Sequence, residues 1–326
     1  MVNLQVTYAG LQLRNPFIVS SSGLTNTVDK CKALDQAGAG AIVLKSLFEE
    51  QMDILSTEYL KNNDYPEAED YIRQYVQSER MDAYTNFVEQ VAEACSIPVI
   101  ASINCYKKGR WVEFAEAIEK AGAKALELNI SLLDTGKQPI DSVATHVAIV
   151  REVVTRINIP VIVKIGENHD NLVYLVEALK GAGAKAVVLF NRFYPVDINI
   201  NTLEMSVGSI FSHKGDVSKV IRWTGIVSGK ISNMDIAAST GILDWEDAVK
   251  VILSGATGVQ LCSAIYEHGN DVINHMAVCL EEWMQKQGFK TIAEFKGKLN
   301  TKDIADPNYY ERTQFLKYLT NRDSNK

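Results

Sequence analysis

AGAKALELN, residues 121–129, is one of four variants of a single phrase: AGAGAIVLK (Ala37–Lys45), AGAKAVVLF (Ala182–Phe190) and SGATGVQLC (Ser254–Cys262) are the others. Each reads as a helix end, a Gly suited to the left-handed C-cap, and a short apolar strand. Between them SIPVIASIN (Ser96–Asn104) and NIPVIVKIG (Asn158–Gly166) place a Pro where a strand begins after a helix. Amphipathic spacing predicts helices over Thr85–Ala94, Trp111–Lys120, Ser142–Arg156, Asn171–Lys180 and Trp245–Ile252. Short strands that are apolar throughout and alternate with helices define a parallel sheet covered on its faces. Candidate strands begin near Phe17, Ala41, Val99, Ala125, Val161, Ala186, Gly225 or Met234, and Gly258. That pattern predicts an α/β protein, a (β/α)8 TIM barrel. A doubly wound open sheet would need a glycine-rich nucleotide turn after its first strand, and SSSGLTN (Ser20–Asn26) has no GxGxxG.

The 326 residues suffice for one large domain, and a hydrophobic fraction of 47% with 22% charged residues is ordinary for a globular protein. The barrel is expected over residues 1–300, with a long insertion after the second strand (Leu47–Ala94) and a short charged C-terminal extension over 301–326. A net charge of −7, with no basic cluster, argues against nucleic acid or an anionic membrane surface as partner. Five scattered cysteines without a CxxC pair read as reduced thiols, and the first residues show no signal-peptide pattern. No apolar run approaches the roughly 20 residues of a membrane span. The expected location is cytoplasmic. The five histidines show no metal-ligand spacing, so no metal is expected.

In such a barrel the strand C-terminal ends form the active face. Side chains alternate along a strand, so with Leu126 and Leu128 turned to the helices, Glu127 and Asn129 face the axis. The same parity sets Lys45, Ser102 with Asn104, Lys164 and Asn191 around one mouth. Lysine at a core-facing strand end is costly without an anionic partner, so the mouth is expected to bind an anion. Ser239-Thr240-Gly241 and Cys262-Ser263, each opening a helix after the last two strands, read as a phosphate grip. TGIVSGKIS (Thr224–Ser232), read as a glycine-bracketed turn, would be its third wall.

NPFIVSSSG (Asn15–Gly23), Lys45-Ser46, ASINC (Ala101–Cys105), ALELNIS (Ala125–Ser131), VIVKI (Val161–Ile165) and SGATGVQLCSAIY (Ser254–Tyr266) together resemble the dihydroorotate dehydrogenases. The FMN and pyrimidine-reducing barrel of dihydropyrimidine dehydrogenase looks closer still, over roughly Asn3 to Leu299. The resemblance implies an FMN-dependent oxidoreductase acting on the CH–CH/C=C pair of a small cyclic substrate such as dihydroorotate or orotate. It implies Ser22 and Gly23 beneath the flavin ring, Lys45, Ser46 and Asn104 along it, and Lys164 near its N1 and O2. There a fixed positive charge stabilises the reduced flavin. Asn129 would bridge flavin and substrate, and Asn191 would bond the substrate amide. Ser228-Gly229, Thr240-Gly241 and Cys262-Ser263 would hold the phosphate. Thr240 and Cys262 stand where the family has Gly, which a backbone cradle tolerates when the local φ is negative. A homodimer is the assembly implied, and the start of the chain resembles the family's soluble members.

The chain departs from that pattern at the base. The family motif resembles Asn-Leu-Ser-Cys-Pro-Asn, whose Cys or Ser removes the substrate proton; here Asn129-Ile130-Ser131-Leu132-Leu133-Asp134 puts Leu132 at that position. Ser131 and Asp134, then Lys137, Tyr194 and Cys105, are the remaining candidates for an acid or base. Further departures are the acidic, tyrosine-rich Asp64–Tyr84 and the bulky Arg192, Phe193 and Tyr194 after Asn191. Two alternatives stay open from the residues alone. One is a non-catalytic barrel binding flavin or a phosphate ligand; the other is a sugar-phosphate lyase or isomerase using Lys164 or Lys45.

Overall fold

The computed structural model describes residues 2–48, 69–105, 111–132, 136, 140–193, 195–302, 304 and 310. Leu133, Asp134, Lys137, Tyr194, the side chain of Cys105, the insertion before Glu69 and residues 311–326 lie outside this description. Eight parallel strands form the barrel. They are β1 (Phe17–Val19), β2 (Ala41–Val43), β3 (Val99–Cys105), β4 (Ala125–Ile130), β5 (Val161–Ile165), β6 (Ala186–Leu189), β7 (Asp235–Ser239) and β8 (Gly258–Leu261). Each pairs with its neighbours in chain order, β8 pairs β1, and the ring is complete. The seventh strand is therefore the one expected near Met234. Gly225 lies instead inside the helix Val217–Lys230.

The repeated phrase has the expected physical basis. Gly38, Gly122, Gly183 and Gly255 have φ of +98°, +94°, +106° and +121°, a region costly for any residue with a β-carbon. Each ends one helix and turns the chain into the next strand. Helix starts are fixed by polar caps: Asp141 accepts from the Ala144 N–H at 2.9 Å, Asn171 from Tyr174 at 3.0 Å and Asp244 from Asp247 at 2.9 Å.

An antiparallel hairpin, Val6–Tyr8 with Leu11–Leu13, seals the end of the barrel where the strands begin. Tyr8 is fully buried there, and the Ala9 N–H donates to Asp235 Oδ2 at 2.9 Å at the start of β7. With that end stoppered, the opposite rim is the one left for a ligand. Sequence periodicity does not mark this hairpin, because its strands are three residues long. A second ribbon, Val196–Asn199 with Glu204–Val207, stands out from the rim. Its register puts Val196 beside Val207 and Ile198 beside Met205, so one face is apolar, yet all four are at least half exposed. Among the described residues no helix is long and apolar enough to cross a membrane.

Candidate functional site

Strand alternation turns the polar residues of β4, β5 and β8 inward, and a directional network joins them across the barrel. Lys164 Nζ donates to Ser20 Oγ at 3.0 Å and to Gln260 Oε1 at 2.9 Å. Ser20 Oγ donates onward to Gln260 Oε1 at 3.1 Å, and Gln260 Nε2 donates to Glu127 Oε2 at 2.7 Å. All four side chains are buried. Burial pushes the Glu127 carboxyl above the usual carboxylate range, while Lys164 and the bond from Gln260 pull it back. Sequence parity found Glu127 and Lys164; it missed Gln260 and Ser20. The signal for Gln260 was a polar residue within the apolar run GVQL.

Above this floor a cavity of about 530 Å3 opens at the strand C-terminal ends, a size suited to a small molecule. Lys164 forms part of its base, and Asn104, Asn129 and Asn191 line its wall. Asn104 and Asn129 are buried, and Asn129 Oδ1 has no partner among the described residues. A buried amide oxygen without a donor is expensive, so this atom is suited to a ligand N–H. Ser46 joins the wall to the floor, its Oγ lying 2.9 Å from Ser21 Oγ and 2.8 Å from Ser102 Oγ. Ser102 itself lies buried beneath the cavity. Lys45 lines the same wall with its ammonium 5.0 Å from the centre of the Phe48 ring. Ser22 caps the short turn Gly23–Thr25, and a β-carbon on Gly23 would stand 2.8 Å from the Tyr266 hydroxyl.

The far end of the cavity is built by the loops after β7 and β8. Ser239, Thr240, Gly241, Cys262 and Ser263 all line it. Gly241 has φ +77°, and Thr240 has φ +83°. The negative φ expected at Thr240 is thus overturned. A β-branched residue is held left-handed, with its Oγ1 donating to the Phe190 carbonyl at 3.2 Å. Cys262, at φ −142°, has the expected sign. Burial raises the Cys262 thiol; a hydrogen bond with Ser22 and the charges of Lys164, Lys45 and Arg192 lower it. Ser212 enters unannounced by any sequence signal, its N–H and hydroxyl both donating to Ser263 Oγ at 3.0 Å.

The third wall expected from TGIVSGKIS is not there. Ser228 and Gly229 lie in the last turn of the Val217–Lys230 helix, outside the cavity. Ser228 Oγ donates to the Ser254 carbonyl at 2.7 Å, and Gly229 packs against Thr301. Arg192 and Phe193 do reach the mouth, with Phe211 and Tyr266, whose rings are 5.6 Å apart, on its rim. Arg192 is held by the carbonyls of Ser209 and Ile210. Ser131 lines the cavity, whereas Leu132 is half-buried and packs against the core. Among the described residues no three His, Cys, Asp or Glu side chains gather as a metal site.

A closed parallel barrel whose one mouth gathers Lys45, Lys164 and Arg192 with the amide side chains of Asn104, Asn129, Asn191 and Gln260 defines a (β/α)8 protein with its cavity at the strand C-terminal ends. The family model for dihydroorotate dehydrogenase matches residues 3–284, and the chain belongs to that family. A putative dihydroorotate dehydrogenase A (fumarate) of Aeropyrum pernix is 28% identical over 90% of this chain and 96% of its own. The catalytic subunit of a dihydroorotate dehydrogenase B (NAD(+)) of Thermoplasma volcanium is 27% identical over 91% and 98%. The PreA subunit of the Escherichia coli K12 NAD-dependent dihydropyrimidine dehydrogenase is 25% identical over 91% and 77%.

Proposed function

We propose that the protein is an FMN-dependent oxidoreductase acting on the CH–CH/C=C pair of a small cyclic amide, and that it works in the reducing direction. The observation that carries this reading is the pairing in one cavity of Lys164, anchored at 2.9 and 3.0 Å, with Asn129 Oδ1, which has no partner among the described residues. A planar ligand with both a hydrogen-bond donor and an acceptor that gains charge fits this pair. The loops after β7 and β8 suit its phosphate.

FMN, when bound, supplies hydride exchange with a carbon centre. In this reading Lys164 and Asn129 hold its ring, Lys45, Ser46, Ser22 and Gly23 its edge and underside, and Thr240, Gly241, Cys262 and Ser263 its phosphate. Asn104 lies along the flavin, Asn129 also reaches the substrate, Asn191 orients the substrate amide, and Arg192 meets an acidic substituent. Oxidation of a dihydropyrimidine requires a base for the carbon-bound proton, and Leu132 carries none. Reduction of an activated C=C asks only for a weak acid, which solvent at the open mouth provides. Lys164, already donating twice within a fixed network, is poorly placed to act as the Schiff-base lysine of a lyase.

Leu132 also favours a second reading, a barrel that binds FMN without turnover. An anaerobic visible absorption spectrum separates the two. Reoxidation of the reduced protein by orotate or uracil supports the enzyme; bleaching of bound flavin by dihydroorotate supports an enzyme but overturns the reducing direction. A flavin band that none of these alters supports the binding protein. Absence of flavin uptake overturns both.

The same reading includes a homodimer formed through the apolar face of the Val196–Val207 ribbon. Sedimentation velocity checks it: the wild-type chain should run as a dimer and Ile198→Lys as a monomer.

A further inference from the structure

We infer that Glu127, which lies beneath the cavity and touches no ligand position, is a positioning residue that aims Lys164 by fixing which way the Gln260 amide points. The inference rests on the FMN reading for its consequence, though not for its geometry.

Donor and acceptor roles along the chain are forced by chemistry. A lysine ammonium only donates, so the atom of Gln260 that meets Lys164 must be the amide oxygen. Ser20 Oγ accepts from Lys164, which leaves its single hydrogen for the same Gln260 oxygen. Both lone-pair directions of that oxygen are then used. The Gln260 NH2 group must find an acceptor on the opposite side, and Glu127 Oε2 provides it at 2.7 Å. A carboxyl oxygen accepts there whether or not its partner oxygen carries a proton, so the arrangement does not depend on the charge of Glu127.

Without that acceptor both hydrogens of the buried NH2 lack a partner, and rotation about the last bond of Gln260 would let NH2 donate to Ser20 Oγ at the expense of the oxygen that holds Lys164. Two donors facing each other repel, and Lys164 would leave its seat. As built, two of its three N–H groups are occupied on the floor and the third is left for the cavity. Glu127 and Gln260 lie on strands that are not neighbours in the barrel, β4 and β8, so the contact also crosses the axis.

The test uses Glu127→Leu in the full chain, with Lys164→Met and the double variant. Either role predicts a lower melting temperature for Glu127→Leu, because the buried Gln260 amide loses its acceptor, so stability does not separate them. Positioning alone predicts FMN affinity, read by quenching of flavin fluorescence, about tenfold weaker than wild type. The midpoint potential of the bound flavin should fall. Neither quantity should change further when Glu127→Leu is added to Lys164→Met. Crystal structures of the FMN-free wild type and Glu127→Leu read the geometry directly: Lys164 Nζ should leave Ser20 and Gln260 in the variant. Lys164 in place together with FMN affinity within twofold of wild type overturns the inference. If wild type itself takes no FMN, the earlier reading fails, and the position of Lys164 alone decides this one.

Discussion

Gly241 lies so close to the first residue of the Val217–Lys230 helix that a β-carbon added to it would collide with the Val217 backbone nitrogen. Its φ of +77° adds a second reason for glycine. Gly241→Ala should therefore push the loop after β7 off the helix start. We expect a loss of more than about 2 kcal/mol of stability in urea unfolding and a deeper loss of FMN uptake.

Thr240, one residue earlier, holds a left-handed conformation with a hydroxyl as its tether. Thr240→Val keeps the backbone cost and removes the bond to Phe190, and should destabilise the fold by about 1–2 kcal/mol. Thr240→Gly removes both cost and bond, and should stay within about 1 kcal/mol of wild type. A Gly variant less stable than the Val variant would show that the threonine conformation carries no strain.

The resemblance of Asn129–Asp134 to the family motif sets Leu132 at the place of the base. If the barrel has otherwise kept its chemistry, Leu132→Cys should raise the rate at which dihydroorotate bleaches bound flavin by about 100-fold or more. An unchanged rate, with the flavin still bound, would move the missing determinant elsewhere, such as to the Arg192–Phe193 wall.

His146 is completely buried, and burial lowers its pKa to about 4. Its Nδ1 lies 2.7 Å from the Ser142 carbonyl, which requires the proton there and leaves Nε2 without a partner among the described residues. The folded protein thus resists protonating a ring that the unfolded chain protonates near pH 6.5. The stabilisation is present above pH 6.5 and lost as pH falls towards 4, by up to about 3 kcal/mol. His146→Leu should flatten most of that slope in urea unfolding measured between pH 4 and 7. His169, shifted in the same direction by burial, accounts for a remainder.

The barrel was legible because one glycine-bearing phrase recurs four times, each time between a helix and a strand, and because strand parity alone sorts Lys164 and Asn129 inward. TGIVSGKIS was misread for a related reason. Glycine inside a helix costs about 1 kcal/mol, so a glycine-bracketed stretch reads as a turn. Here Gly225 and Gly229 are small to let Tyr310 and Thr301 pack against the helix, a long-range contact that no local pattern encodes. Ser212 reaches the cavity from a loop, where side-chain direction has no period to follow, and Tyr266 from a helix of only six residues, Ser263–His268, too short for its spacing to be read. The sign of φ at Thr240 depends on the crowding between two elements, and residue type pointed the wrong way.

The hairpin bearing Tyr8 has a kinetic corollary. A tube stoppered at one end has a single door, so under the FMN proposal an electron donor and an electron acceptor that both need the same buried flavin must visit it in turn. Steady-state rates against both substrates should then give parallel lines in double-reciprocal form, the signature of a shuttle that empties before it reloads.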